Sequence, residues 1–330
     1  MDPAPTPSLR DMADLATPMA IRVGATLHLV ERAGSGGATA EQLAAATGTA
    51  APALRRLLDH LVTVGVFDRD AGRYRPTALG AQMGADAEEG IKPLLDINSA
   101  GGRADLGFVE LLGTVTSGTP GYVRRYGRDF WADLDADPQL RRSFDAQMNW
   151  RYAVQAGQIA ERFDWSRFPE VIDVGGGDGQ VLEAILRAHP GVRGRVLDLP
   201  PTAAGATERF ATAGLADRAG AVPGSFFDSL PAGADAYLLS DIVHDWDDDH
   251  ARAILTRCRA AAAPGGAVVV IENAGAAGTA MDLFMLMCFG GRERTAAELA
   301  ELADDAGLVL RASGPVADGR TMLEFGVRQP

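Results

Sequence analysis

Positive charge is scarce in this 330-residue chain. Lys and Arg number 31 against 44 Asp and Glu, a net charge of −13 at pH 7, and Lys92 is the single lysine. A surface that acidic repels a phosphate backbone, so no nucleic-acid partner is expected. Cysteine is almost missing: Cys258 and Cys288 stand alone, both in apolar, helix-like surroundings. That excludes a disulfide framework and reads as buried free thiols in a reducing, cytoplasmic compartment. Nowhere does an apolar run approach the ~18–20 residues needed to cross a bilayer, so no membrane association is expected. The opening Asp2-Pro-Ala-Pro-Thr-Pro-Ser8 lacks the apolar centre of a signal peptide and reads as a disordered tail. With only five histidines and no His/Cys pair at ligand spacing, no metal centre is expected.

What is present is enough for two cores. From Leu9 to Leu79 the pattern is helical with short breaks. Thr39 and Gln42 form a capping-box signature ahead of a helix from Ala40. The next helix, from Ala51, places Leu54, Leu57, Leu58, Leu61 and Val62 on one face. A hairpin then turns at Asp70-Ala-Gly72. Two short helices and a hairpin make a winged helix-turn-helix. Its second helix offers only Arg55 and Arg56 to a phosphate, which favours a folding or dimerisation unit over a DNA reader. Residues 91–165 are again helical. Beyond them, short apolar runs at Val171–Val174, Arg195–Leu199, Tyr237–Ile242, Ala267–Ile271 and Met322–Val327 alternate with helical stretches. That alternation predicts a mostly parallel sheet covered on both faces. The expected division is a winged-helix unit over 1–90, a helical connector over 91–165 and an α/β domain over 166–330.

The most informative run is Val171-Ile-Asp-Val-Gly-Gly-Gly-Asp-Gly179, a strand, a glycine turn and then a helix from Gln180. It is a nucleotide-binding corner. A dinucleotide fingerprint, G-x-G-x-x-G, would need glycine at 180, where Gln180 stands. The compact Gly175-x-Gly177-x-Gly179 favours an adenosyl ligand without a pyrophosphate, with S-adenosylmethionine the obvious candidate. Asp198 ends the next strand about 20 residues on, where an acid accepts hydrogen bonds from ribose hydroxyls. Another strand end, Pro223-Gly-Ser-Phe-Phe227, offers Ser225 and Phe226 to an adenine.

Histidine 244 lies just past the fourth strand, in Ser240-Asp-Ile-Val-His244-Asp-Trp246. Glu272 closes the fifth strand, and Glu293 sits in the loop Gly290-Gly-Arg-Glu-Arg-Thr295; both are within reach of that position. A phenol has a pKa of about 10 and histidine about 6.5, so a phenol is mostly neutral at pH 7 and needs a base if it is to attack. An imidazole held by carboxylates keeps one tautomer and gains basicity. His28, His60, His189 and His250 read as structural, and Asp247, Asp248 and Asp249 as the acidic start of a helix.

Taken in order, Val171–Gly179, Asp198-Leu-Pro-Pro201, His244-Asp-Trp-Asp247, Ala263-Pro-Gly-Gly266 and Gly290–Thr295 carry a family likeness. The chain resembles the S-adenosylmethionine-dependent O-methyltransferases of the caffeic acid/hydroxyindole type, including bacterial members that methylate phenolic natural products. The resemblance implies a Rossmann-like methyltransferase sheet with a reversed last strand and a homodimer built from the N-terminal helices. It implies His244 as general base, with Glu272 and Glu293 as its partners. For the cofactor it implies Asp173, Gly175, Gly177, Asp198, Leu199, Ser225, Phe226 and Ser240. A small aromatic acceptor would lie between Met148 and Met285 with Asp245 nearby, although by residue type alone both methionines suit an ordinary core. Ser225 and Ser240 depart from the family's usual acidic and basic residues, and Glu272–Ala280 is a short version of the lid segment. Two other readings stay open: an enzyme of this fold that uses the bound cofactor for decarboxylation, hydroxylation or cyclisation, and a winged-helix regulator that senses S-adenosylmethionine.

Overall fold

The computed structural model describes residues 8–85, 91–275 and 279–327. The tail Asp2–Pro7 and residues 276–278 of the lid segment lie outside them. The chain forms two compact units, one of residues 1–106 with 134–147, the other of residues 107–133 with 148–330, so residues 91–165 are divided between them.

In the first unit, helices Ala16–Thr26, Ala40–Thr47 and Ala51–Thr63 precede a hairpin of β1 (Phe67–Asp70) and β2 (Arg73–Pro76). Thr39 caps its helix through Gln42 in a full capping box. Leu54, Leu58 and Leu61 are buried, with Leu57 and Val62 at the rim, and they pack with Leu29, Leu43, Phe67 and Tyr74. The Tyr74 hydroxyl donates to Asp59 at 2.6 Å, which gives that buried polar group a partner. Arg55 pairs with Glu41.

The second unit is a seven-stranded sheet between helices. The strands are β3 (Glu170–Val174), β4 (Arg193–Asp198), β5 (Ala219–Pro223), β6 (Ala236–Ser240), β7 (Ala267–Glu272), β8 (Leu308–Ala317) and β9 (Arg320–Val327). Their spatial order is β5-β4-β3-β6-β7-β9-β8. The first five are parallel, while β9 runs antiparallel to β7 and β8 antiparallel to β9. Successive strand residues point to opposite faces, so each strand feeds two cores. Val171, Leu238, Val269 and Ile271 enter one, and Ile172, Val174, Tyr237, Leu239, Val268 and Val270 the other. Each such aliphatic side chain stabilises the fold by about 1.5–3 kcal/mol relative to exposure. The first core is roofed by Val181, Leu182, Ile185 and Leu186 of helix Gln180–Ala188. The second packs against helices Asp248–Ala261 and Ala296–Asp305.

β8 is a strand that hydrophobic pattern does not reveal. It lies at the sheet edge and most of its residues are exposed, and its short apolar start, Leu308-Val-Leu310, gives way to Arg311-Ala-Ser-Gly314 without alternation. Cys258 and Cys288 are buried free thiols, and no described helix is long and apolar enough to cross a membrane. Asp247 caps its helix by accepting from His250 N at 2.9 Å. The other histidines are also engaged: His28 with Lys92, His60 with Thr17 and His189 with the Ala160 carbonyl.

Candidate active site

Chain order reverses between β3 and β6, which lie side by side. In an open α/β sheet, ligands bind outside the carboxyl ends of the strands at that switch. At the end of β3, Gly175, Gly177 and Gly179 have φ of +71°, +62° and +87°, left-handed conformations that favour glycine. Asp198 holds the turn: its Oδ2 accepts from Gly177 N at 2.9 Å and its Oδ1 from Leu199 N at 2.7 Å. Gly176 lies so close to Asp173 that a Cβ there would come within 2.4 Å of the Asp173 carboxyl carbon. Burial, with the Asp198 charge adding to it, pushes Asp173 up to about 7.

Phe226 and Phe227 stack edge-on against Trp246, with ring centroids 5.8 and 4.8 Å from it. Ser225 Oγ accepts from Phe227 N at 3.1 Å, so its side chain shapes the turn that presents Phe226. Several buried acceptor atoms have no hydrogen-bond partner among the described residues: Asp173 Oδ2 at the end of β3, Ser240 Oγ and Asp241 Oδ1 at the end of β6, and Glu272 Oε2 at the end of β7. Orphaned buried acceptors are costly, and their grouping at strand ends suits a ligand that brings cationic charge and N–H or O–H donors. S-adenosylmethionine, with its ammonium, sulfonium and ribose hydroxyls, fits that donor-poor rim.

His244 sits on the 3-10 turn Val243–Asp245 and is 5% exposed. Its Nδ1 lies 2.8 Å from Glu293 Oε1 and 3.4 Å from Glu272 Oε2, while its Nε2 faces Asp245 Oδ1 at 3.5 Å. The two glutamates do different things. Glu293 makes the hydrogen bond to Nδ1. Glu272 Oε1 instead accepts from the backbone N–H of Val243, at 2.8 Å, and of His244, at 3.3 Å, and so fixes the turn that carries the imidazole. With Nδ1–H donated to Glu293, the neutral ring carries its lone pair on Nε2.

Burial works against a charged His244. The charges of Glu272 and Asp245, the Glu293 hydrogen bond and the charge of Asp241 outweigh it and raise His244 to about 10. Burial in turn raises Asp245 to about 6 and Glu272 to about 7. The cluster is thus a proton reservoir in the free protein, and a cation arriving beside it favours the neutral imidazole.

The loop after helix Thr279–Cys288 locks this turn. Arg292 N donates to the His244 carbonyl at 2.9 Å. The buried Arg294 donates to the carbonyls of Val243 (3.0 Å) and Trp246 (2.9 Å) and pairs with Asp248 at 2.7 Å. At Gly291 a Cβ would lie 2.2 Å from the His244 carbonyl oxygen. Met285 is buried on that helix and Met148 is half-buried on helix Pro138–Arg162.

Sequence reasoning missed Asp241. This non-glycine residue has φ of +51°, and its carboxylate accepts from Tyr152 Oη (2.7 Å) and from Arg320 Nε (3.1 Å) and Nη2 (2.8 Å). Burial opposes its ionisation, yet Arg151, His244 and Arg320 hold it below the ordinary aspartate range. Asp241, His244 and Glu272 offer ligand atoms within 4.8 Å of one another, a spacing a metal could use. Two arginines already balance Asp241 and Glu293 already engages His244, so these donors suit a proton network better than an ion.

Comparison with known proteins agrees with this geometry. Residues 108–309 match the O-methyltransferase domain and residues 11–83 the O-methyltransferase dimerisation domain. The chain is 51% identical to a 2,7-dihydroxy-5-methyl-1-naphthoate 7-O-methyltransferase of Streptomyces carzinostaticus, over 94% of each chain. It is 42% identical to an aclacinomycin 10-hydroxylase of Streptomyces purpurascens, over 96% of this chain and 87% of that protein. A crystal structure of an O-methyltransferase from neocarzinostatin biosynthesis, in complex with S-adenosylmethionine and 2-hydroxy-5-methyl naphthoic acid, superposes with a TM-score of 0.94 at 50% identity, covering 98% of this chain and all of that one. The glycine turn, the acid-held histidine and these matches together make the chain a member of the S-adenosylmethionine-dependent O-methyltransferase family.

Proposed function

We propose that this protein transfers a methyl group from S-adenosylmethionine to a phenolic hydroxyl of a fused-ring aromatic hydroxy acid. The observation that carries the reading is the His244–Glu293 hydrogen bond, which leaves Nε2 as the proton acceptor beside the cofactor corner. When bound, the cofactor supplies an electrophilic methyl on a sulfonium. Asp198, Gly175, Gly177 and Leu199 would hold the ribose end; Asp173 and Ser240 the amino-acid end; Ser225 and Phe226 the adenine. His244 Nε2 takes the hydroxyl proton as the oxygen forms its new bond to carbon, and the C–S electron pair leaves with sulfur. Glu293 stabilises the imidazolium that results, and Glu272 keeps the turn in place. Met148, Met285 and Asp245 are assigned to the acceptor.

The acceptor class is inferred from the naphthoate 7-O-methyltransferase relative and the naphthoic acid complex. The matched dimerisation domain supports a homodimer through the N-terminal helices. The buried free thiols accord with a cytoplasmic setting. Incubation with methyl-labelled S-adenosylmethionine and 2,7-dihydroxy-5-methyl-1-naphthoate tests the reaction: label in an aryl methyl ether is expected, and unlabelled product or none rejects it.

A second reading has one observation in its favour, the 42% identity to a hydroxylase. An oxygenated product without label would establish it. The intact base and its Glu293 partner favour methyl transfer, since hydroxylation gives that pair no hydroxyl to deprotonate.

A further inference from the structure

The cluster around His244 contains a guanidinium, Arg151, whose N–H donors are mostly unused. Arg151 stands one helical turn past Met148 on helix Pro138–Arg162, so the two share a face. Its side chain is 26% exposed, and its ion pair, to Asp241 Oδ2, is long at 3.4 Å. Arg151 adds its charge to Asp241, but the hydrogen bonds to that oxygen come from elsewhere: Arg320 reaches it from two nitrogens and Tyr152 from its hydroxyl. Neighbouring arginines are spent: Arg294 on Asp248 and two carbonyls, and Arg209 on Asp178, Glu183 and Asn149. A guanidinium offers five N–H donors in a fork that matches a carboxylate, and burying it with most of them unused is costly. Asp245 and Glu272 act on Arg151 only from a distance; among the described residues its ion pair is to Asp241.

We infer that Arg151 is the anchor for the acceptor's carboxylate, a specificity-determining residue that grips the acid group while the hydroxyl meets His244. The inference rests on the reaction proposed above. Asp241 links the two ends of the site: it pairs with Arg151 and lies within 4.8 Å of the His244 ligand atom. On the naphthoate named for the 51% identical relative, the C1 carboxyl and the C7 oxygen lie on the same edge of the ring system, with C8 next to C7 between them. One edge can therefore meet a base and a guanidinium together, and a bidentate Arg–carboxylate pair fixes orientation as well as affinity.

The test is equilibrium binding to the full chain loaded with S-adenosylhomocysteine, using 2,7-dihydroxy-1-naphthoate and, as the acid-free probe, 2,7-dihydroxynaphthalene. The unmodified protein should bind the acid about 10-fold more tightly than the diol. Arg151→Met should erase that preference while changing diol affinity by less than about threefold, and Arg151→Lys should keep part of it. S-adenosylhomocysteine affinity, measured on each variant, reports whether the fold is intact. Equal binding of acid and diol by the unmodified protein, or equal loss of both in Arg151→Met and Arg151→Lys, overturns the anchor. If the acid binds as expected but acquires no labelled methyl, the proposed transfer fails while the anchor stands.

Discussion

Glu293 and His244 meet through a single 2.8 Å hydrogen bond at Nδ1, which decides which imidazole nitrogen is left to work. Glu272 is equally close in sequence logic but serves the backbone, accepting from Val243 N. Several expectations rest on that division.

Replacing His244 with Gln keeps a polar side chain but removes the base. Methyl transfer should fall by about 10²–10⁴-fold while the cofactor Kd stays close to unchanged. Single-turnover transfer of labelled methyl checks this, and near-normal turnover would remove His244 from the role of base.

The two glutamates should separate by readout. Glu272→Ala leaves two buried N–H groups without their acceptor and should lower unfolding stability by about 1–3 kcal/mol. Glu293→Ala should leave Tm within a few degrees and instead lower kcat by about 10-fold, because the imidazolium loses its partner. Denaturant titrations beside kcat measurements would show the contrast; the reverse pattern would exchange their roles.

The free protein should lose stability as pH rises. Asp245, Glu272, Asp173 and His244 are raised to about 6, 7, 7 and 10, from reference values of 3.8, 4.5, 3.8 and 6.5. Each binds protons more tightly folded than unfolded, so each contribution is complete below its unfolded pKa and is lost as pH climbs through the folded one. Tm without ligand should therefore decline from about pH 6 to pH 9. A Tm that rises over this interval contradicts the acid cluster. Activity should move the other way, since the free-enzyme base becomes neutral only as pH rises, and the pH profile of kcat/KM tests that.

At the cofactor corner, Asp198→Asn leaves one acceptor oxygen where two are in use, by Gly177 N and Leu199 N. The Kd for S-adenosylmethionine should rise by about 10-fold or more, measured calorimetrically. Unchanged affinity would take Asp198 out of the cofactor site.

Much of this was legible in the residues because the signals are local. The glycine turn, the Thr39 capping box, the hairpin at Asp70–Gly72 and the acid-capped helix after Asp247 each lie within a few positions. All five apolar runs of the second unit coincide with a strand to within two residues; the run Tyr237–Ile242 overshoots its strand, which ends at Ser240, because the turn that carries His244 begins there. What stayed hidden is nonlocal. Asp241 owes its place to Arg320 and Tyr152, 79 and 89 residues away, and no periodicity encodes such pairings. β8 stayed hidden because an exposed edge strand needs no apolar alternation. The different tasks of Glu272 and Glu293 depend on which oxygen faces backbone, a matter of ångströms that spacing along the chain cannot resolve.

The clasp of Arg292 and Arg294 on the turn 243–248 bears on attempts to recombine this protein with its relatives. The base and the loop that clasps it are separate stretches of chain, yet they touch through carbonyls that no side-chain substitution can adjust, with Gly291 pressed against one of them. Chimaeras that import only one stretch inherit a mismatched joint. Segments 241–248 and 290–298 should be exchanged as one cassette when a new acceptor range is sought, with the crossover points in β6 and in the helices Asp248–Ala261, Thr279–Cys288 and Ala296–Asp305 that flank them.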